Sequence, residues 1–223
     1  MKTAARYNGL AAWYDENLAE GTLASGDVID RLLGRGTGRC LDLCCGTGLH
    51  LPRLLGLGWQ VTGVDISADQ LRLARERVGA RAALVRADAT ELPFPDEHFD
   101  GVASMFSHTD VDDFAGLVRE GARVLRSGGV FVYSGPHPCF YGPHSRFVGA
   151  RGVPQLHAGY SQVGRYREGP GLTPGGLREK VGAVHLPLGA FLHAFLDSGL
   201  TLDHFEEHGD ADYPSRVAVR ARR

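Results

Sequence analysis

The 223-residue chain has few cysteines, no long apolar run and almost no excess of charge of either sign. Its four cysteines are too few and too unevenly spaced for a disulfide framework or a paired CxxC zinc site. No apolar run approaches the roughly 20 residues that a membrane-spanning helix needs. These absences predict reduced thiols, no metal site and no membrane span, and therefore a cytoplasmic location.

The charge balance excludes two further classes of partner. The formal net charge is −2 at pH 7, so the chain as a whole has no electrostatic attraction for nucleic acid or for an anionic membrane. The first residues turn acidic at Asp15 and Glu16 without forming an apolar core, which is not typical of a signal peptide. We therefore expect neither a nucleic-acid nor a membrane partner.

Short β-like runs alternate with helix-like segments over the first two-thirds of the chain. Strands are predicted at 39–43, 60–64, 83–86, 99–104 and 130–134, and helices at 7–18, 24–33, 49–55, from 67 onward and at 110–125. Such alternation indicates an α/β fold with a doubly wound, mostly parallel sheet and helices on both faces. The rhythm then stops between 135 and 184, where little periodicity is seen, and resumes with a helix at 186–198 and strands at 200–206 and 215–220.

The segment Cys40–Gly48, CLDLCCGTG, is the most informative in the chain. A buried strand that runs into a glycine-containing turn and opens a helix places backbone N–H groups beside a ligand. A dinucleotide site needs G-x-G-x-x-G, but Cys44 and Leu51 stand where glycines would complete that motif. The Asp42 carboxylate would also repel a pyrophosphate, whereas it would attract an ammonium group. These residues disfavour a nicotinamide-dependent oxidoreductase.

Acidic residues end three consecutive predicted strands. Asp42 suits an ammonium group, and Asp65, 17 residues beyond Gly48, suits a pair of ribose hydroxyls. Asp88 follows the third strand and can accept a hydrogen bond from an adenine amino group. A site that reads ammonium, ribose and adenine without a phosphate-binding element fits S-adenosylmethionine.

Four ordered segments, LDLCCGTG, GVDIS, RADATELPFPDEHFDGV and VLRSGGVFVY, resemble the motifs of class I S-adenosylmethionine-dependent methyltransferases of the small-molecule subgroup. The resemblance implies a seven-stranded sheet whose last strand is antiparallel, with a lid inserted after the fifth strand. It departs from the family at Cys44, where glycine is usual. It also implies that the following residues contact the cofactor: Tyr14, Asp42, Cys44, Cys45, Gly46, Gly48, Asp65, Ile66, Asp88, Ala89, Ser104 and Met105.

The expected organisation is a single methyltransferase domain spanning residues 1–223. It comprises N-terminal helices (1–35), a cofactor-binding core (36–134), a substrate lid (135–185), and a closing helix with a strand pair (186–223). Six basic residues against two acidic ones between 135 and 184 indicate either a solvated basic surface or a site for an anionic substrate. Residues expected to contact substrate are Phe140, Tyr141, His144, Tyr160 and His185.

Two histidines follow predicted strands at the edge where chemistry takes place. His108 follows the fourth strand and His137 the fifth, so either is a candidate general base, or else an ordinary loop histidine. We expect in-line methyl transfer from S-adenosylmethionine to an oxygen or nitrogen atom of a small molecule that is anionic or aromatic. The alternative is a non-catalytic S-adenosylmethionine-binding sensor or partner protein. The sequence leaves open whether the chain is a monomer or a homodimer.

Overall fold

The computed structural model describes residues 5–23, 25–148, 152–170, 172, 176–209 and 212–223. Its helices are α1 (Ala11–Leu23), α2 (Leu51–Gly56), α3 (Ala68–Val78), α4 (Phe114–Val124), α5 (Leu177–Val181) and α6 (Leu188–Leu196). Its strands are β1 (Arg39–Leu43), β2 (Gln60–Asp65), β3 (Ala83–Arg86), β4 (Phe99–Met105), β5 (Leu125–Pro136), β6 (Ser145–Val148), β7 (Val153–Leu156), β8 (Gly164–Tyr166), β9 (Ala183–His185), β10 (Thr201–His208) and β11 (Arg216–Arg222). A π-helical turn covers Ile29–Leu33, and 3-10 turns cover Gly79–Arg81 and Ser107–Thr109.

Seven strands form one sheet in the order β10-β11-β5-β4-β1-β2-β3. Strands β1 to β5 pair in parallel, whereas β11 pairs antiparallel with both β5 and β10. The predicted seven-stranded sheet with an antiparallel last strand is therefore confirmed. Its carboxyl edge gathers the ends of β1, β2, β3 and β4, because parallel strands all end on the same side.

Helices cover both faces of the sheet, as predicted. Side chains of a strand alternate between the faces, so Leu41 and Leu43 point to one side and Cys40 to the other. The first side packs against α4 and α6 through an aromatic cluster that includes Phe114 and Phe191. The second side packs against α2, α3 and the π-helical turn. The two cores hold the sheet rigid, and with it the positions of its strand ends.

Strand β5 begins earlier than the sequence pattern indicates. The pattern predicts a helix at 110–125 and a strand at 130–134, but α4 ends at Val124 and β5 starts directly at Leu125. Gly128 adopts a positive φ of 76° inside the strand, and its N–H donates to the Arg223 carbonyl at 2.8 Å. This bond to the carboxyl-terminal residues extends the strand through a stretch whose glycines suggested a turn.

The segment between 135 and 184, where the sequence shows little periodicity, contains regular secondary structure among its described residues. This insert (residues 135–185) contains the antiparallel pairs β6–β7 and β8–β9 and the short helix α5. Its strands have three or four residues each, which is too short for alternation of polar and apolar side chains to be recognised.

Helix boundaries near the N-terminus also shift. The predicted helices at 7–18 and 24–33 are found as α1 at Ala11–Leu23 and as the π-helical turn. The predicted start of α3 is correct, because the Ser67 hydroxyl accepts a hydrogen bond from the Gln70 N–H at 3.3 Å.

Gly48, in the turn after β1, is expected to tolerate no side chain. Its φ is +76°, and an added Cβ would lie 2.8 Å from the Leu51 side chain and 3.0 Å from Ala74. We expect Gly48→Ala to lower the free energy of unfolding by about 2–4 kcal/mol through strain and overpacking. Gly56→Ala is the matched control, because nothing lies within 4 Å of its added Cβ. The prediction fails if urea unfolding shows equal stability for the two variants.

Candidate functional site

A cavity of about 1080 Å³, including its open mouth, lies at the carboxyl edge of the sheet. The ends of β1, β2 and β4, the loop after β3 and the N-terminal segment all contribute to its wall. The insert contributes Arg165 and Val181. In open α/β sheets, ligands bind in the crevice at this edge of the strands.

The turn after β1 forms one side of the cavity and is held by β2. The Asp65 carboxylate accepts hydrogen bonds from the Gly46 N–H and from the Ser67 N–H, both at 2.9 Å. The Cys45 N–H donates to the Val64 carbonyl at 2.9 Å. The turn therefore has a fixed shape before any ligand binds.

Cys44 takes a backbone conformation that favours glycine, the residue that the resemblance leads one to expect here. Its φ is +63°, in the left-handed region that a residue with a Cβ adopts at a cost. The side chain is partly buried against the core below β1, and burial raises the pKa of the thiol well above its usual range. Burial does the same for Cys45, so both thiols stay protonated and serve as packing groups rather than nucleophiles.

Asp42 is the most perturbed carboxylate in the cavity wall. It is 2% exposed, and its Oδ2 atom has no hydrogen-bond partner. Burial, with a smaller contribution from Asp65, raises the pKa of Asp42 to about 7. A buried acceptor without a partner costs free energy, which a ligand ammonium group would recover. This unpartnered carboxylate therefore fits the ammonium group at the amino-acid end of S-adenosylmethionine.

Asp88 lies farther along the same edge, after β3. One of its carboxylate oxygens accepts from the Thr90 N–H at 3.0 Å and from the Thr90 hydroxyl at 2.8 Å. These bonds fix the carboxylate beside Ala89, which also lines the cavity. The three acids predicted to read ammonium, ribose and adenine thus line one cavity.

Most of the predicted cofactor residues lie where the sequence placed them. Those that line the cavity are Tyr14, Asp42, Cys44, Cys45, Gly46, Asp65, Ile66, Asp88, Ala89 and Met105. Gly48 and Ser104 do not. Gly48 packs beneath the turn, and the Ser104 hydroxyl is buried, where it donates to the Leu43 carbonyl at 2.8 Å. These two residues support the wall instead of facing the ligand.

The N-terminal segment covers part of the cavity with two tyrosines. Tyr7 and Tyr14 meet edge to face with ring centroids 5.8 Å apart. The Tyr7 hydroxyl donates to the Asp110 carboxylate at 2.8 Å, and the Tyr14 hydroxyl lies 3.3 Å from that of Thr22. Burial raises the pKa of both phenols, so they remain neutral and able to donate hydrogen bonds.

Two carboxylates join this N-terminal cover to the insert. Asp110 accepts from Tyr7 and from the Arg178 guanidinium, the latter at 2.9 Å. Asp112 accepts from Arg165 at 2.7 Å and also pairs with Arg6. Tyr7, Tyr14 and the insert together form a roof over the cavity. Ion pairs attach this roof to the loop between β4 and α4.

His108 lies outside the cavity wall. It is buried among Phe114, Tyr133 and Phe191, and its Nδ1 atom is hydrogen-bonded to the Tyr133 hydroxyl. Burial, followed by the charge of Arg178, lowers the pKa of His108 to about 3. A neutral ring enclosed in the aromatic core has no access to a substrate, so this placement argues against His108 as a general base.

His137 is also buried and also lies outside the cavity. Its Nδ1 atom accepts from the Cys139 N–H at 3.1 Å, and its Nε2 atom lies 2.5 Å from the Glu207 carboxylate. Both nitrogens are therefore engaged in holding the start of the insert against β10.

None of the five residues expected to contact substrate lines the cavity. Phe140 packs on His137, and Tyr141 packs on Phe147. His144, Tyr160 and His185 form a second cluster, in which the two histidine rings lie 5.0 Å apart. The structure does not bring these side chains to the cavity wall, because four of them lie in turns and bends of the insert, where they contact other aromatic and histidine side chains.

Several cavity residues were not identified from the sequence. They include Arg6, Tyr7, His50, Gln70, Phe106, Asp110 and Arg165. Phe106 is the most unusual of them, because its φ of +61° is rare for an aromatic residue and such strain is common at functional sites. The available sequence signal was position: Phe106 and Asp110 follow β4 directly, at the same edge as the three acids.

Two classes of site can be assessed over the described part of the chain. There, no group of three or more histidine, cysteine, aspartate or glutamate side chains is arranged to hold a metal ion. Within the same ranges, the helices are too short or too polar to span a bilayer.

Residues 41–133 match the family model described as "Methyltransferase domain". The Staphylococcus aureus demethylmenaquinone methyltransferase is 38% identical over 97 residues, which are 41% of this chain and 40% of that protein. The match thus spans well under half of the length of this curated relative.

Solved structures extend the similarity to nearly the whole chain. An S-adenosylmethionine-dependent methyltransferase from Mesorhizobium loti has a TM-score of 0.77 and 26% identity, covering 92% of this chain and all of that one. The glycopeptide N-methyltransferase MtfA, solved with S-adenosylhomocysteine, has a TM-score of 0.65 and 22% identity, covering 91% of this chain and 89% of that one. The second similarity concerns the fold alone.

The raised pKa of Asp42 predicts a distinctive pH dependence of stability. Because the folded-state pKa is about 7 against about 3.8 unfolded, the ligand-free fold favours the protonated acid and loses stability as pH rises from 4 to 7. Asp42→Asn should remove this loss, which amounts to up to about 4 kcal/mol at pH 7. Chemical denaturation at pH 4.5 and 7.5 measures it. The exposed Asp27→Asn is the control, and an unchanged slope in Asp42→Asn would contradict the prediction.

His108→Ala should destabilise the protein. The change leaves a void beside Phe114 and an unpaired Tyr133 hydroxyl, at a cost of about 2–4 kcal/mol. Since the pKa of His108 is lowered on folding, its contribution is present above pH 6.5 and is lost as pH falls toward 3. Thermal melts at pH 7.5 and 5 measure both effects. His193→Ala, whose side chain is 68% exposed on α6, should change stability by less than about 0.5 kcal/mol.

Proposed function

We propose that this chain, whose cofactor-binding core belongs to the class I S-adenosylmethionine-dependent methyltransferases, transfers a methyl group to an oxygen or nitrogen atom of a small molecule. One observation supports this most directly. The unpartnered Asp42 oxygen shares a cavity with Asp65 and Asp88, so three carboxylates meet one ligand.

The chain's own residues are suited to an adenosyl ligand that carries an ammonium group. In the proposal, Asp42 receives that ammonium group, Asp65 accepts from the ribose hydroxyls, and Asp88 accepts from the adenine amino group. The Asp65 oxygens already bond to backbone N–H groups, but a carboxylate oxygen can accept more than one hydrogen bond. S-adenosylmethionine, when bound, supplies a methyl group already activated by a sulfonium.

Alignment and exclusion of water are the main contributions that we propose for the protein. The roof formed by Tyr7, Tyr14 and the insert limits access to the cavity, and well-oriented reactants can gain roughly 7–11 kcal/mol from proximity. Because His108 and His137 are both buried away from the cavity, the proposal includes neither of them as a base.

The acceptor is proposed to be apolar or aromatic. Tyr7, Tyr14, Phe106, Val111 and Val181 give the cavity an apolar surface around its polar wall. An anionic acceptor is less well matched, because Arg165 in the cavity wall and Arg178 above it already pair with carboxylates of the β4–α4 loop.

The comparisons do not extend to the acceptor. The S. aureus relative is named for methylation of demethylmenaquinone, a small molecule, but the family model ends at Tyr133, before the insert begins. The part of this chain that covers the cavity therefore lies outside the family match.

Calorimetry and mass spectrometry test the proposal together. We expect S-adenosylhomocysteine to bind with one site per chain and NAD to give no measurable heat, because the acids repel a pyrophosphate. Incubation with S-adenosylmethionine and a metabolite extract should add 14 Da to one component, as one methyl replaces one hydrogen. Binding without any such gain would identify a non-catalytic binder, and tight binding of NAD alone would overturn the proposal.

A further inference from the structure

Buried polar atoms without a partner are concentrated at the cavity. Over the described residues, seven buried side-chain nitrogen or oxygen atoms lack a hydrogen-bond partner, and four of them belong to residues that line the cavity. They are the Asp42 Oδ2 atom, both ring nitrogens of His50 and the Gln70 Oε1 atom. Each such atom costs free energy unless a ligand or water satisfies it.

His50 contributes two of these four unpartnered atoms, more than any other residue of the cavity wall. It is 5% exposed, at the point where the turn after β1 enters α2, and neither of its ring nitrogens has a partner. Histidines elsewhere in the structure behave differently: those at 108, 137 and 185 all bond to a neighbour. An imidazole with two unpartnered nitrogens in a cavity wall is arranged to meet something that the cavity receives.

The charge state of His50 defines what it can offer. Burial, followed by the charge of Arg53, lowers its pKa to about 4, so the ring is neutral at pH 7. A neutral imidazole has one N–H donor and one acceptor nitrogen. It can therefore donate to an anion without adding a full positive charge to a buried site.

Position along the sheet edge indicates which part of the ligand His50 faces. Asp65 ends β2 and Asp88 follows β3, toward one edge of the sheet. Asp42 and His50 instead belong to the same connection, in which β1 leads through the turn into α2. In the proposed function that end of the cavity holds the amino-acid portion of the cofactor, where an ammonium and a carboxylate share one carbon atom.

We propose that His50 donates a hydrogen bond to the carboxylate of that amino-acid portion, opposite the ammonium group held by Asp42. This inference depends on the proposed function. The two guanidinium groups in the described cavity wall, those of Arg6 and Arg165, are already held by Asp112. His50 is thus a side-chain donor in the wall that makes no hydrogen bond within the protein.

Two ligands that differ only in the carboxylate provide the test. Calorimetric dissociation constants are measured for S-adenosylmethionine and for decarboxylated S-adenosylmethionine, which keeps the ammonium, sulfonium and adenosine. We expect the wild type to prefer S-adenosylmethionine and His50→Ala to weaken its binding by roughly 10- to 100-fold, the effect of one hydrogen bond to a charged group. Binding of the decarboxylated ligand should be nearly unchanged. His50→Gln, which keeps an N–H donor, should restore part of the preference.

His144→Ala is the matched control. His144 is also buried, with 1% exposure and an unpartnered Nδ1 atom, but it lies in the insert away from the cavity. It should leave the preference between the two ligands unchanged.

The outcomes separate this inference from the proposed function. Equal weakening of both ligands in His50→Ala, or no weakening of either, overturns the role of His50 while the function stands. Failure of the wild type to bind either ligand overturns the function itself. Thermal melts without ligand confirm that each variant is folded, and His50→Gln carries the test if His50→Ala does not fold.

Discussion

The Asp65 carboxylate is the contact on which the geometry of the site depends. Its two oxygens accept from the Gly46 and Ser67 N–H groups, so one side chain joins the turn after β1 to the start of α3. Parallel pairing of β1 with β2 brings these two loops side by side, and the carboxylate then fixes their separation. In the proposed function the same group also accepts a hydrogen bond from a ribose hydroxyl. A residue that both shapes a site and contacts its ligand keeps the site rigid at the point where the ligand must be held in the correct orientation.

Charge is distributed unevenly around the cavity, and this distribution favours the ligand of the proposed function. Carboxylates occupy the sheet edge, whereas guanidinium groups lie in the roof and are offset by Asp110 and Asp112. This sheet edge is the floor of the cavity, and it therefore attracts the positively charged and hydrogen-bond-donating parts of a ligand. The cost is visible in the raised pKa values of Asp42 and Asp65, which desolvation dominates in both cases. Such perturbation is common at sites that become satisfied only when occupied.

The sequence predicted the floor of the cavity well and its roof poorly, for physical reasons. Strand ends in a parallel sheet share one edge, so Asp42, Asp65 and Asp88 could be brought together from their positions alone. The direction of a side chain in a loop or a short turn has no such rule, and His108 accordingly points into the aromatic core. The unpartnered nitrogens of His50 result from packing, which no spacing of residues reveals. The short strands of the insert were missed because three or four residues carry too little pattern.

Floor and roof also differ in what holds them. The floor consists of strand ends anchored in two apolar cores, whose stabilisation is large and insensitive to salt. The roof is joined through ion pairs of partly exposed groups, with Asp112 45% exposed, and contacts of this kind contribute little each and are screened by salt. In the proposed function a spent cofactor leaves after each turnover, and a weakly held roof over a rigid floor would allow that exchange without disturbing the binding groups.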